Sequence, residues 1–209
     1  HFYDASAPIV SRDSIDMNFA FAGDRYGRGG DDYINCPLSK EEYEIFVREL
    51  LSAERAILHD FEKGEIFEGC MPVEVMAARG GDTLRFGPFK PVGLRDKDGN
   101  KFYAVLQLRK ENAEGQAYNL VGCQTNLKFP EQKRVFSLIP ALRGAEFLRY
   151  GVMHRNTYIN SPQHLNADFS LKCDQKIFFA GQMTGVEGYV ERAASGLMCA
   201  LHMDRKLKG

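Results

Sequence analysis

Several features that would mark specialised protein classes are missing from this sequence. No apolar run approaches the roughly 20 residues that a helix needs to cross a bilayer, and the first residues lack the charged-then-apolar order of a secretory signal. The five cysteines are odd in number and form no CxxC pair, which argues against a disulfide framework and a structural zinc site. We therefore expect a cytoplasmic protein with reduced thiols, no metal and no membrane partner.

An excess of charge is also missing. The formal net charge is −1, so the total does not predict a nucleic-acid partner. On charge alone, scattered basic residues are more typical of a solvated surface than of a binding patch. The basic residues that could still form a local patch are Arg79, Arg85, Lys90, Arg109, Lys110, Lys128, Lys133 and Arg134.

The composition is that of an ordinary globular protein. With 209 residues, 44% hydrophobic and 26% charged, the chain can bury a real core. It contains no internal repeat and no low-complexity tract. The sequence opens on His1-Phe2-Tyr3-Asp4 without an initiator methionine, in what reads as the middle of a strand. We therefore expect an excised piece, with residues missing beyond Gly209 as well.

The first half of the chain predicts an arm followed by a helix. Residues 11–38 are polar and read as a loop or extended arm. Ser39 followed by Glu42 is a capping-box pattern, and apolar residues then recur at helical spacing to about residue 60. His59, near the predicted end, is expected to be structural.

The middle of the chain predicts a small sheet and a second helix. Between 64 and 127 the apolar runs are short and are broken by glycine and proline. Asp98-Gly99 is a hairpin signal between the runs 92–94 and 102–106. Pro130 then opens a second helix, which Pro140 ends.

The most informative segment runs from Phe178 to Glu191, where we predict that a short apolar strand leads into glycine-spaced backbone and then into a helix. Glycines at 181, 185 and 188 allow close approach of the backbone to a ligand. The start of the helix is an electropositive end that suits an anionic or electron-rich group. This layout is typical of a nucleotide-cofactor turn, although such turns also serve close packing. The helix should reach about Lys206, with small residues at Ala193, Ala194, Gly196 and Ala200.

Four segments stand in one order along the chain: Phe67–Glu74, Gln124–Lys128, Tyr150–Pro162 and Phe179–Leu197. Together they resemble the bacterial folate- and FAD-dependent tRNA (uracil-5-)-methyltransferase family, over nearly the whole chain. The related large-subunit tRNA-modifying flavoproteins share the last segment. The short motifs Gly69-Cys70-Met71-Pro72 and His154-Arg155-Asn156 resemble those of the methyltransferase branch.

The resemblance implies a fold class, an α/β FAD-binding (Rossmann-like) portion plus an inserted α+β domain. Residues 1–10 would be a strand segment of the FAD-binding domain, 11–147 the α+β insertion and 148–209 the carboxy-terminal part of the FAD-binding domain. The family's dinucleotide fingerprint G-x-G-x-x-G has no counterpart, because the glycines of 25–30 have the wrong spacing. The pyrophosphate of FAD normally rests on that turn, so FAD binding by the isolated chain is expected to be weak or absent.

The resemblance also implies that Cys70 is catalytic. Methylation of carbon 5 of uracil needs a nucleophile that adds at carbon 6, and a thiolate suits this reversible addition. The family uses a second cysteine from its amino-terminal half, so whether Cys70 adds to carbon 6 or handles the proton at carbon 5 stays open. Glu68 and Glu74 would raise the pKa of Cys70, so a cation or a helix end must compensate.

Without the motif, Cys70 would read as a small buried hydrophobic residue. The other four cysteines match no catalytic motif of the family and are expected to be packed thiols. They are Cys36, Cys123, Cys173 and Cys199.

For the cofactors, the resemblance implies a flavin site and a folate site. A planar pterin suits stacking and its glutamate tail suits arginine. The alternative is a polar loop with one exposed histidine. The residues implied to meet the flavin are Gly181, Gln182, Met183, Thr184, Gly185, Val186, Glu187 and Gly188, and those implied to receive the folate or stack on the flavin are His154, Arg155, Asn156, Thr157 and Tyr189.

The implied activity is formation of 5-methyluridine in the T loop of tRNA. Methylenetetrahydrofolate would donate the one-carbon unit, reduced FAD would be the reductant, and NAD(P)H would reduce the flavin. The partners would be the T arm of tRNA and the small-molecule folate. Three alternatives stay open: a non-catalytic piece that binds tRNA or folate, a related flavoprotein that modifies the tRNA wobble uridine, and an unrelated FAD oxidoreductase.

Overall fold

The computed structural model of the protein describes residues 2–27, 32–56 and 71–208. By internal packing the chain divides into two compact units, an amino-terminal unit of residues 3–154 and a carboxy-terminal unit of residues 1–2 with 155–209. The division into FAD-binding and inserted domains stays a prediction. Each unit is described below by itself.

The amino-terminal unit is built on a sheet of six strands. All its pairings are antiparallel, which agrees with the predicted α+β character of this region. The strand order is β3 (Phe21–Ala22), β4 (Tyr33–Leu38), β5 (Ala104–Lys110), β6 (Ala117–Leu120), β2 (Ile9–Ser11) and β7 (Phe147–Arg149). Two further strands, β1 (Phe2–Ala5) and β8 (Met153–Asn156), pair with each other. The strand expected at the opening of the chain is therefore confirmed.

Helices complete the two units. Those of the amino-terminal unit are α1 (Lys40–Ser52), α2 (Val73–Ala77), α3 (Thr83–Phe86) and α4 (Phe129–Phe136), and those of the carboxy-terminal unit are α5 (Ser161–His164) and α6 (Tyr189–Lys208). In the ranges that the structure describes, no helix is both long and apolar enough to cross a bilayer.

The predicted start of α1 is confirmed and its predicted end is wrong. The Ser39 hydroxyl accepts from the Glu42 amide at 3.2 Å, and the Glu42 carboxylate accepts from the Ser39 amide at 2.8 Å. The helix ends at Ser52, because Ala53 is extended and buried and Arg55 pairs with Leu127 in a single β-bridge. His59 lies outside the described residues.

Two other sequence predictions need correction. Residues 11–38 are not only a loop, since their last six residues form β4 and bury Ile34, Cys36 and Leu38. The Asp98-Gly99 turn is present, closed by a 3.1 Å hydrogen bond from the Gly99 amide to the Asp96 carbonyl. The 92–94 run before it is not a strand, however, and β5 pairs with β4 and β6 instead. Local turn chemistry was thus predicted correctly, whereas strand partners distant in sequence were not.

The core lies between the sheet and helices α1 and α4. Phe46 of α1 is fully buried, and its ring centroid lies 5.4 Å from that of Phe89 and 6.1 Å from that of Phe136. Leu106 and Leu108 of β5 are also fully buried in this core. The predicted second helix is confirmed as α4, and a 3₁₀ turn at Pro140–Leu142 follows it.

A buried amide side chain joins α4 to the segment that leads into β8. The Gln132 side-chain amide donates to the carbonyls of Leu127 at 2.7 Å and of Gly151 at 2.8 Å, and its oxygen accepts from the Gly151 amide at 2.8 Å. A Cβ on Gly151 would lie 2.5 Å from the Ser6 carbonyl oxygen, so only glycine fits there. Gln132 thereby satisfies three backbone groups that no water reaches.

Replacement of this glutamine tests its role. Gln132→Leu puts a somewhat larger apolar side chain in place of the amide and leaves the Gly151 amide and two carbonyls without partners, so we expect a loss of about 2–5 kcal/mol in the free energy of unfolding. Urea denaturation measures it, with Lys133→Leu on the exposed side of α4 as the matched control. A loss no larger than that of the control would contradict the assignment.

Candidate cofactor site

The glycine-rich segment of the carboxy-terminal unit is a turn that leads directly into α6. Residues Gly181–Thr184 form a 3₁₀ turn, Gly185 is left-handed with φ of 85°, and Gly188 has φ of 90° just before the helix. The predicted turn and helix are confirmed. The predicted strand is wrong, because Phe178 makes only a single β-bridge, to Ser170, and the chain there folds back locally.

Residues of the third sequence motif, Tyr150–Pro162, hold this turn from one side. The Ile159 amide donates to the Met183 carbonyl at 2.9 Å, and the Ser161 hydroxyl donates to the Thr184 carbonyl at 2.8 Å. Within the turn, the Thr184 hydroxyl donates to the Gly181 carbonyl at 2.8 Å. The third and fourth motifs, far apart in sequence, therefore form one structural element.

Helix α6 holds the turn from the other side. The hydroxyl of buried Ser195 accepts from the Gly181 amide at 3.1 Å. The Arg192 guanidinium pairs with Glu187 at 2.6 Å and donates to the Val186 carbonyl at 3.4 Å. Sequence reasoning missed both roles, and the only available signal was their place within the resembling segment. The turn is thus fixed at both ends before any ligand binds.

A groove lies along the turn. It has a volume of about 580 Å³ and is lined by Tyr158 to Pro162 together with Thr184 and Gly185. That size falls within the range of about 300–1,000 Å³ typical of small-molecule sites. The amides of Val186, Glu187 and Gly188 donate to no atom of the described residues, so they are available to an acceptor on a ligand. The groove has room for a small molecule, and these three amides follow its last lining residue, Gly185, in the chain.

Acidic side chains alter the charge expected at the start of α6. Glu191 lies in the first turn of the helix, and a Cβ on Gly188 would collide with its carboxylate. A carboxylate there stabilises the positive helix end and competes with any anionic ligand. Tyr189 is 88% exposed, with the Arg192 guanidinium 6.0 Å from its ring. The helix end therefore suits a neutral electron-rich group better than a phosphate.

The residues implied to receive folate are placed as follows. His154 is exposed and belongs to the amino-terminal unit, while Arg155 and Asn156 continue strand β8 in the other unit. The side chains of Arg155 and Asn156 lie outside the described part of the structure. Thr157 is exposed and precedes Tyr158 of the groove. The folate role of all four stays a prediction.

Cys70, the predicted catalytic residue, lies outside the described residues, as does Glu68. The described chain resumes at Met71, and the residues that follow are firmly anchored. The carboxylate of Glu74, fully buried, accepts from the Thr125 hydroxyl at 2.9 Å and from the Asn126 amide at 2.7 Å. The Val73 amide donates to the Gln124 carbonyl at 2.7 Å. The first and second motifs therefore meet at Glu74, an anchoring role that the sequence did not reveal.

Burial governs the acidity of the groups around this anchor. Burial raises the pKa of Glu74, against the opposing effect of its bonds from Asn126 and Thr125. Burial likewise raises the pKa of the Cys36 thiol to about 12 and raises those of Cys123 and Cys199. The prediction of packed thiols is confirmed for these three and wrong for Cys173, which is exposed.

No metal centre emerges from the ranges 2–27, 32–56 and 71–208. Within them, no group of three or more histidine, cysteine, aspartate or glutamate side chains is placed to hold a metal ion.

A neutral replacement of Glu74 should become more favourable as pH rises. Since the folded-state pKa of Glu74 lies above its unfolded value, the wild type loses stability as pH rises from that unfolded value through the folded one. Glu74→Gln keeps an acceptor for the Asn126 amide and carries no charge. We expect its free energy of unfolding, relative to wild type, to increase by about 1 kcal/mol or more between about pH 5 and pH 8.

Urea denaturation at both pH values measures this difference. Glu54→Gln, at an exposed position, is the control. A difference between Glu74→Gln and wild type that does not change with pH would contradict the buried-carboxylate account.

Comparison with known proteins places the chain. The family model described as glucose inhibited division protein A matches residues 1–209. The proteins named methylenetetrahydrofolate--tRNA-(uracil-5-)-methyltransferase TrmFO from Acetivibrio thermocellus and Lactobacillus helveticus are 64% and 59% identical to it, over 97% and 100% of this chain but 47% and 52% of their own length. The chain therefore spans about half the length of these curated relatives.

Solved structures agree on the fold. Two crystal forms of Aquifex aeolicus GidA match 95% of this chain and 31% and 33% of their own, with TM-scores of 0.53 and 0.55 at 18% and 19% identity. Identity this low shows the fold alone, and it supports the mixed α/β fold class. The predicted family resemblance is thus confirmed along the whole chain, which belongs to the glucose inhibited division protein A family and resembles its TrmFO members.

Proposed function

We propose that this chain is part of a folate- and FAD-dependent tRNA (uracil-5-)-methyltransferase that forms 5-methyluridine in the T loop of tRNA. The observation that carries the proposal is the identity of about 60% to relatives with that enzyme name, over 97% or more of this chain. The four sequence motifs of the family lie within that matched stretch, and the structure joins them in two pairs. Because the match covers about half of each relative, activity belongs to a protein of the relatives' full length.

The turn at Gly181–Gly188 is the proposed flavin contact. Its groove has the size of a small-molecule site, and the amides of Val186, Glu187 and Gly188, which follow the groove residue Gly185 in the chain, donate to no atom of the described residues. A flavin ring is flat and carries carbonyl and nitrogen acceptors at its edge, so these residues fit it. The carboxylate of Glu191 at the helix end supports a contact with the ring rather than with the pyrophosphate. When bound, FAD would supply the electrons that complete the methyl group.

Cys70 is the proposed thiol that acts on the uracil ring, either as the nucleophile at carbon 6 or as the group that handles the proton at carbon 5. The anchoring of α2 by Glu74 supports this role, because Met71 is bonded directly to Cys70 and the chain is fixed from Val73 onward. Thr157, Arg155, Asn156 and His154 would receive methylenetetrahydrofolate, the one-carbon donor. NAD(P)H is the proposed source of electrons for the flavin.

A non-catalytic binding role is the second candidate. Cys173 is the one exposed cysteine among the described residues, and it lies outside the four motifs. If Cys70 were dispensable, no exposed cysteine of the described residues would lie within a family motif to supply the thiol. An enzyme of full length that binds flavin and tRNA but forms no 5-methyluridine would favour the binding role.

Gly185, one of three positive-φ glycines in the turn, provides a test of the flavin site. Gly185→Val forces a β-branched residue into φ of 85°, whereas Gly185→Asn introduces a residue that tolerates this conformation. In an enzyme of the relatives' length that carries this chain, we expect the valine variant to lose about tenfold or more in FAD affinity, given about 1–3 kcal/mol of strain.

FAD titration monitored by visible absorption measures the affinity. The asparagine variant should stay close to wild type. Equal affinity in both variants would place the flavin elsewhere.

Substitution of the predicted thiol tests the chemistry. In the same full-length enzyme, Cys70→Ala should abolish 5-methyluridine formation while leaving the flavin spectrum unchanged, because the thiol acts on the uracil ring and not on the cofactor. Nucleoside analysis of the tRNA product measures turnover, and Cys173→Ala is the matched cysteine control. Turnover at the wild-type rate in Cys70→Ala would remove this residue from the mechanism.

A further inference from the structure

A second groove, remote in sequence from the cofactor turn, lies in the amino-terminal unit. It has a volume of about 840 Å³ and lies between the 91–95 loop and the residues that precede β5. Among the described residues, no carboxylate side chain lines it. The side chains that define this basic groove are three cations and three aromatic rings: Arg85, Arg95, Lys101, Tyr26, Phe102 and Tyr103.

The loop that forms one wall of the basic groove is tied to the sheet. The Arg25 guanidinium donates to the carbonyls of Lys90 at 2.9 Å and Val92 at 2.6 Å, and to the Gln107 side chain at 2.7 Å. Gln107 in turn donates to the side chain of Asn35, its cross-strand neighbour, at 2.9 Å. Arg25 thus links the loop to the two central strands β4 and β5, and these hydrogen bonds hold the groove wall in place.

Tyr26 stands at this wall in an uncommon conformation. Its φ is 63°, a left-handed value that costs a residue other than glycine about 1 kcal/mol or more. Its amide donates to the Gly93 carbonyl at 3.0 Å, and two of its ring carbons lie 3.1 Å from where a Cβ on Gly93 would be. The residue is nevertheless 66% exposed. The backbone strain therefore serves to present an aromatic ring to solvent beside the groove.

The cations of the basic groove differ in how far they are neutralised. Arg85 lies 4.1 Å above the Tyr103 ring and pairs with Asp82 at 3.2 Å. Arg95 donates to the Gly99 carbonyl at 2.7 Å, and neither it nor Lys101 makes an ion pair within the described residues. The nearby Asp96 carboxylate accepts bonds from the amides of Asp98 and Asn100 and belongs to its own turn. Positive charge at Arg95 and Lys101 is therefore open to an anionic partner.

Exposed cations interleaved with aromatic rings are the combination that binds single-stranded nucleic acid, because phosphates pair with the cations and bases stack on the rings. We propose that the basic groove binds an RNA loop, with backbone phosphate at Arg95 and Lys101 and an unstacked base against Tyr26 or Phe102. The identity of that RNA as tRNA rests on the proposed function. The groove would then be a docking surface distinct from the cofactor turn.

Binding of an unmodified tRNA transcript to the 209-residue chain, measured by fluorescence anisotropy at several salt concentrations, tests this proposal. The double variant Arg95→Ala/Lys101→Ala should bind about tenfold more weakly and lose about one to two from the slope of log affinity against log salt. Tyr26→Asn keeps a residue that tolerates the left-handed backbone but removes the ring. It should bind about fivefold more weakly with the salt slope unchanged.

Lys133→Ala is the control, since Lys133 is exposed on α4 and lines neither groove. Circular dichroism verifies that each variant folds. Wild-type affinity in both groove variants would overturn the proposal, as would absence of tRNA binding by the wild-type chain at low salt. Competition by polyphosphate as strong as by tRNA, at equal phosphate concentration, would overturn it too, because it would show a site for anions without base recognition.

These results separate the groove from the enzymatic proposal. If the groove variants form 5-methyluridine normally and bind tRNA as the wild type does, the proposed RNA-binding role of the basic groove is refuted and the enzymatic proposal stands. Groove-dependent tRNA binding without product in the full-length enzyme would refute the enzymatic proposal alone.

Discussion

The pairing of β4 with β5 is the constraint on which the amino-terminal unit depends. Six residue pairs, from Tyr33 opposite Arg109 to Leu38 opposite Ala104, fix the register of the two central strands. Since side chains alternate across a sheet, this register places Ile34 and Leu108 in the core and sets Asn35 against Gln107. A slip by one residue would exchange the two sets. Both the core and the polar chain that leads outward to the basic groove follow from one register.

The carboxy-terminal unit solves a different problem, which is how to hold irregular backbone in place. A turn with three positive-φ glycines has few internal hydrogen bonds, so neighbouring side chains must supply them. Ser161, Ser195 and Arg192 do so from opposite sides. Helix α6 buries only Ser195 and Cys199 and leaves Val190 and Leu197 exposed. The helix thus acts here as a frame for the turn rather than as the centre of a core.

Sequence patterns predicted the parts of this fold whose causes are local. The Ser39 cap, the Asp98-Gly99 turn and the glycines before α6 each depend on a few adjacent residues, and the structure has all three. Strand β4 was missed because its partner strand begins about 70 residues later, and no local pattern encodes that pairing. The same reason hid the anchoring role of Glu74, whose bonds reach Thr125 and Asn126. For the candidate site, resemblance supplied residues and roles, whereas the contacts that hold the turn came only from the structure.

The burial of the cysteines has a practical consequence for chemical labelling. Alkylating reagents attack the thiolate, so a buried thiol with a raised pKa reacts slowly at neutral pH. Cys36, Cys123 and Cys199 fall in this class, which leaves Cys173 as the exposed thiol among the described cysteines. Substitution of Cys173 would remove the labelling that this exposed thiol contributes. A maleimide or iodoacetamide probe would then report on Cys70, because the remaining described thiols are buried.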